Sequence, residues 1–167
     1  GGATVLAAGD LNGDGHADVA ACLPSALSVH FFDANTGTFG AGLTSALPSC
    51  GTLVVCDMDG DGVEDVVVGT VKGITVFLSG TTQVPVDDFE DPLGGGSAVS
   101  ALAVADFNND GALDVFTGTG VLVNSRVVFD PLRTAASINV LGDAGVDGGV
   151  AADVDGDGAT DLLVAYG

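Results

Sequence analysis

The sequence predicts an all-β fold of β-propeller-type repeats, amounting to about three and a half four-stranded blades. Three observations lead there. Helix-favouring Glu, Lys, Gln and Arg are scarce among the 167 residues, whereas Val, Thr and the 27 Gly suit short strands joined by tight turns. A nine-residue acidic segment occurs four times, its first residues 47, 49 and 47 positions apart. Every copy lies between two short apolar runs.

The acidic segments align without gaps: DLNGDGHAD (Asp10–Asp18), DMDGDGVED (Asp57–Asp65), DFNNDGALD (Asp106–Asp114) and DVDGDGATD (Asp153–Asp161). All read D-x-[DN]-x-D-G-x-x-D. Before them come TVLAAG, TLVVC, SALAVA and GGVAA; after them come DVAAC, DVVVGT, DVFTGTG and DLLVAYG. Short apolar runs bounded by turn residues read as buried strands, so each acidic segment is the connection of a β-hairpin. In the first three repeats a third strand is expected within SVHFFD, ITVFLS and VLVNS. A weaker fourth is expected around Phe39–Leu43, Val84–Phe89 and Val127–Leu132. In the first repeat ANTGT supplies the Asn and Gly of a tight turn between those two strands. Four strands per period of about 48 residues is the arithmetic of a propeller blade. The fourth repeat stops at Gly167, after its second strand. Repeats 1–48, 49–96, 97–144 and 145–167 are therefore read as one repeat domain. With no secretory signal or initiator Met, the expectation is a mature product or an excerpt of a longer propeller.

Charge narrows the partners. There are 23 Asp and Glu against three basic residues, Lys72, Arg126 and Arg133, giving a net charge of -20 and a pI near 4.1. Such a surface repels phosphate backbones and anionic membranes, which argues against nucleic acid. No apolar run approaches the roughly 18 residues of a membrane span, so no membrane insertion is expected. At 47% hydrophobic residues and a mean hydropathy of +0.51, the chain is too apolar to remain disordered. The three cysteines form no CxxC pair, so neither a disulfide framework nor a zinc site is indicated. One bridge, Cys22 to Cys50, is expected because Cys56 sits inside an apolar strand; the alternative is three small buried thiols.

The loops themselves point to a metal. Oxygen-bearing side chains stand at positions 1, 3, 5 and 9: Asp10, Asn12, Asp14 and Asp18; Asp57, Asp59, Asp61 and Asp65; Asp106, Asn108, Asp110 and Asp114; Asp153, Asp155, Asp157 and Asp161. Carboxylates this crowded repel unless a cation compensates them. Calcium takes six to eight oxygen ligands in a flexible shell, which short Asp side chains and a backbone carbonyl supply. Position 7 (His16, Val63, Ala112, Ala159) varies freely, as expected of a ligand through its carbonyl alone. Position 6 is always Gly, as a sharp turn requires. An EF-hand would place Glu at position 12, where Ala21, Val68, Thr117 and Val164 stand instead. Magnesium keeps its waters, and zinc wants His or Cys, which do not recur. D-G turns that merely cap hairpins account for one Asp and one Gly per loop, not for four aligned oxygen positions. Up to four Ca²⁺ are expected, with tighter binding at loops two and four, where all four ligand side chains are carboxylates.

These loops, each between two short apolar strands, resemble the FG-GAP/VCBS repeats of integrin α-subunit propellers and many bacterial surface proteins. The nearest likeness is SVHFFDANTGTFGAG followed by GTLVVCDMDGDGVEDVVVG. The resemblance implies calcium loops on the outer part of one face, with the ligands named above. It also implies metals that are structural, partners that bind elsewhere, and a usual complement of seven blades.

Other activities find few residues. His16 falls at loop position 7 and His30 in the third strand, and no G-x-S-x-G or H-E-x-x-H occurs. His30 reads as a strand residue facing solvent or a neighbouring blade. Asp87, Asp88, Glu90 and Asp91 read as a solvated edge strand rather than paired catalytic acids. GGGS at Gly94–Ser97 reads as a linker turn rather than a phosphate loop. No catalytic residue is expected. A calcium-dependent lectin is an alternative, weakened by the absence of Trp and the single Tyr166; a non-catalytic part of a larger secreted enzyme is another. Phe31, Phe32, Phe77 and Phe116 are expected in the core. The expected role is extracellular or cell-surface adhesion or assembly. Its partners would be other protein chains, including a second copy through open strand edges.

Overall fold

The computed structural model describes residues 2–79, 85–90, 98–99, 101–118, 120–124, 133–134 and 146–166. In the first repeat β1 (Val5–Gly9), β2 (Asp18–Leu23) and β3 (Ala26–His30) pair in order. A two-stranded ribbon follows, β4 (Phe32–Asp33) with β5 (Thr38–Phe39), and β6 (Leu43–Ala46) then closes the sheet against β3. The second repeat is an uninterrupted meander of β7 (Thr52–Cys56), β8 (Asp65–Thr70), β9 (Gly73–Phe77) and β10 (Pro85–Glu90). The third repeats that order with β11 (Ala103–Ala105), β12 (Asp114–Phe116), β13 (Val121–Val123) and β14 (Arg133–Thr134). The last is a hairpin of β15 (Val146–Ala152) and β16 (Asp161–Tyr166).

The hairpin expectation holds in all four repeats, and in one register. The residue before each acidic loop pairs with loop position 9: Gly9 with Asp18, Cys56 with Asp65, Ala105 with Asp114, and Ala152 with Asp161.

The sheets stack face to face, each apolar cluster lying between successive repeats. Ala20, Cys22 and Leu27 meet Leu53, Val66, Val68 and Phe77. Val67, Ile74 and Val76 meet Val99, Val115 and Leu122. Ala103, Phe116 and Val121 meet Val146, Leu162 and Val164. The period-2 alternation of a strand explains why β8 is a continuous Val run: Val66 and Val68 face the first sheet while Val67 faces the third. The first strands of successive sheets are neighbours, β1 beside β7, and β11 beside both β7 and β15.

Two expectations are corrected. The third and fourth strands of the first repeat are not the continuous SVHFFD and Phe39–Leu43. Asp33 accepts the Asn35 N–H on its carboxylate, and its carbonyl accepts the Gly37 N–H at 2.7 Å, with Gly37 at φ 68°. ANTGT therefore closes a local ribbon, and the sheet's fourth strand begins only at Leu43. Phe32 consequently leaves the core for that ribbon, its ring 5.4 Å from Phe39 and 5.8 Å from His16. Phe77 and Phe116 are buried and Phe31 is half-buried against the first cluster, as expected. Val127–Leu132, Asp91 and Gly94–Ser97 lie outside the described residues.

Cys22 and Cys50 are disulfide-bonded, with Cα atoms 5.2 Å apart across 28 residues, and Cys56 is free. Burial, reinforced by Asp65, Glu64 and Asp57, pushes the Cys56 thiol up to about 12, so it stays protonated. The bridge ties β2 to the segment entering β7. Closing a loop of that length removes about 3.5 kcal/mol of unfolded-state entropy. Reduction is expected to lower the urea-unfolding free energy by that amount; an unchanged midpoint would mean that the first cluster alone holds the two repeats together.

Candidate metal centres in the hairpin loops

Each loop wraps around its own first carboxylate. Asp10 accepts the N–H groups of Asp14 (3.0 Å) and Gly15 (2.8 Å). Asp57 accepts those of Gly60 (2.7 Å), Asp61 (3.1 Å) and Gly62 (3.0 Å). Asp106 takes Asp110 and Gly111, and Asp153 takes Gly156 and Gly158. Position 3 accepts the N–H of position 5 in all four loops, through Asn12, Asp59, Asn108 and Asp155. Position 5 accepts the N–H of position 7, at His16, Val63, Ala112 and Ala159. This wrap demands left-handed backbone at two places. Position 6 has φ between 83° and 90° at Gly15, Gly62, Gly111 and Gly158. Position 4 is left-handed as well, with φ between 57° and 80° at Gly13, Gly60, Asn109 and Gly156.

Position 9 does something else as well. Asp18, Asp65 and Asp114 are 0% exposed and use both carboxylate oxygens on backbone donors. Asp65 accepts Met58 N–H at 2.8 Å and Ser79 N–H at 2.7 Å. Asp18 takes Leu11 and Phe32, and Asp114 takes Phe107 and Asn124, in the same geometry. Each of these residues therefore fastens the start of its loop to the exit of the third strand. Asp161 accepts Val154 N–H at 2.9 Å. The position-2 side chains that these bonds fix, Leu11, Met58 and Phe107, pack into the successive inter-sheet clusters.

The carboxylates converge most where all four oxygen positions are Asp. Oxygens of Asp57, Asp59 and Asp61 lie within 4.8 Å of one another, as do those of Asp153, Asp155 and Asp161. In loop two burial, with this crowding as the lesser cause, shows in proton affinity. Burial, then the charges of Asp61 and Asp57, pushes Asp59 upward against the hydrogen bond from Asp61 N–H. Burial raises Asp65 to about 6, opposed by its bonds from Ser79 and Met58. Asp114 shifts up for the same first reason. Asp14, exposed in loop one, is instead lowered, chiefly by the His16 N–H.

Of the expected ligand side chains, Asp57, Asp59 and Asp61 converge in loop two and Asp153, Asp155 and Asp161 in loop four, while in loops one and three the same positions are linked through the hydrogen bonds above. His16 also reaches Asp14 with its ring, Nδ1 lying 3.3 Å from Oδ1. His30 lies away from the loops, its Nε2 3.1 Å from Ser28 Oγ and its Nδ1 3.2 Å from the Gly40 carbonyl. Sequence reasoning passed over position 4, whose Gly, Gly, Asn, Gly pattern marks a left-handed residue. It also passed over the apolar residue at position 2. Two links between repeats are not anticipated: Glu64 Oε2 accepts Asp10 N–H at 2.6 Å, and the Asn124 amide donates to the Met58 carbonyl at 2.8 Å.

Among curated proteins no match to this chain is found. The family described as FG-GAP-like repeat matches residues 10–68 and 57–117, each match running from one acidic loop through the strand after the next. The two overlapping matches cover most of the chain, their edges fall on the loops and hairpins described above, and the chain belongs to the FG-GAP-like repeat family.

Proposed function

We propose that this chain is a calcium-stabilised, propeller-type module of an extracellular or cell-surface protein, serving adhesion or assembly and not catalysis. The observation that carries the reading is the convergence of three carboxylates within 4.8 Å in loops two and four, on a backbone wrapped to hold them there. An all-oxygen set of carboxylate, carboxamide and carbonyl suits a hard cation of calcium's size. When bound, calcium supplies the positive charge that offsets this crowding. Asp10, Asn12, Asp14 and Asp18, with the carbonyl of His16, would hold the first ion. The equivalent positions of the other loops, including the carbonyls of Val63, Ala112 and Ala159, would hold the rest.

The Cys22–Cys50 bridge favours an oxidising compartment. No helix among the described residues is long and apolar enough to cross a membrane. The cleft between the first two sheets, lined by Leu27, Val29, Val66 and Phe77 among others, measures about 30 Å³, far below a substrate pocket. Other protein chains are the proposed partners; Val150 and Leu163, paired in register on the last hairpin, are exposed, as is Val154 in its loop. Calorimetric titration is expected to show up to four calcium sites, and Asp157→Ala to remove one of them. Heat of binding that is absent in the wild type, or unchanged in the variant, would overturn the reading.

A further inference from the structure

We infer that Glu64 couples the first two loops, so that filling either calcium site tightens the other; this rests on the calcium reading above. Asp10 and Glu64 form a reciprocal pair. The Asp10 N–H donates to Glu64 Oε2 at 2.6 Å, and the Glu64 N–H donates to the Asp10 carbonyl at 3.1 Å. Asp10 opens loop one. Glu64 stands at position 8 of loop two, between the position-7 residue Val63 and the position-9 residue Asp65. One two-bond clamp therefore fixes the backbone at the start of one site and at the end of the next.

Gly9 makes the clamp possible. A Cβ at Gly9 would run into the Glu64 carboxylate and the Val55 side chain. The next junction is built differently: position 8 is Leu113 and the residue before loop two is Cys56, both packed against the second apolar cluster. There the polar link is Asn124 to Met58, at loop position 2. Neither Ala17 nor Thr160, at position 8 of loops one and four, carries a carboxylate. The clamp acts through its hydrogen bonds, which need an acceptor oxygen at position 64 and no charge there. Ordering either loop orders part of the other, and by linkage the coupling acts equally in both directions.

The test uses the full chain, ¹⁵N-labelled, titrated with calcium chloride. The amides of Gly15, Gly62, Gly111 and Gly158 donate to the four position-1 carboxylates and report each loop separately. In Glu64→Ala the Gly15 and Gly62 midpoints are expected to rise about five-fold, at the low end of measured couplings. Gly111 and Gly158 should stay in place. Glu64→Gln keeps an acceptor oxygen for Asp10 and should hold both midpoints near those of the wild type. In calcium-free protein, hydrogen exchange at the Asp10 amide should quicken in Glu64→Ala but not in Glu64→Gln. Unmoved Gly15 and Gly62 midpoints, or four midpoints moving together, would overturn the coupling. So would unchanged Asp10 exchange. If no loop glycine of the wild type responds to calcium, the calcium reading itself falls, and the coupling with it.

Discussion

Asp65→Ala is expected to cost the protein about 2–6 kcal/mol of stability, in chelator as well as in calcium. The residue is fully buried, and its two oxygens satisfy the backbone N–H groups of Met58 and Ser79. Removing the carboxylate orphans both donors beside the second cluster, and each buried orphan costs about 1–3 kcal/mol. That is a large share of the roughly 5–15 kcal/mol a domain possesses. Asp61→Ala is the control: its carboxylate takes only the exposed Val63 N–H, so in chelator it should cost less than about 1 kcal/mol. Asp65→Asn, with one acceptor oxygen, should fall between. Urea unfolding of the three variants in chelator decides the matter. Equal losses for Asp61→Ala and Asp65→Ala would show that position 9 is a ligand position only.

That double use of position 9 is where sequence reasoning stopped short. The spacing of D-x-[DN]-x-D-G-x-x-D is local, so the loop, its hairpin and its oxygen set were all legible from Asp10, Asp57, Asp106 and Asp153 onward. The apolar runs on either side fixed four hairpins, and the period implied sheets of four strands. What a carboxylate does at long range is not written in its neighbours. Asp65 reaches Ser79, fourteen residues on, and Glu64 reaches back to Asp10 in the preceding repeat. The β4–β5 ribbon was missed for a related reason. ANTGT marked a turn correctly, but a turn motif does not say which strands it joins; the Asp33 hydrogen bonds settle that locally, before the sheet is complete. Hydrophobicity alone places Phe32 in the core, and the ribbon carries it out. Position 4 was legible in principle, because Gly13, Gly60, Asn109 and Gly156 are the residue types that tolerate left-handed backbone.

Excess chelator is expected to lower the melting temperature by about 5–20 °C at neutral pH. Loops of extracellular modules bind calcium at about 10⁻⁴ to 10⁻³ M, so about 1 mM ion stabilises each by about 0.4–1.4 kcal/mol. Four loops together give about 2–6 kcal/mol, and a chain of this size shifts by about 2–4 °C per kcal/mol. The pH dependence gives the prediction its sign. Without metal, Asp65 has its carboxyl raised from 3.8 to about 6, so between those values the folded state binds more protons than the unfolded. Stability of the calcium-free protein must then fall as pH rises through that window, with the penalty complete above it. Asp59 and Asp114 shift in the same direction. With calcium present protons compete for the same oxygens, and stability must be lost as pH falls. The gap between the two curves therefore narrows as pH falls through about 6, where Asp65 takes up its proton, and widens toward pH 7, where it is the full binding contribution. Thermal melts across that range, with calcium and with chelator, would sink the metal assignment if the curves ran parallel or coincided throughout. A gap that opens only as pH rises ties the stabilisation to ionised loop carboxylates, which a calcium effect elsewhere on the surface would not do.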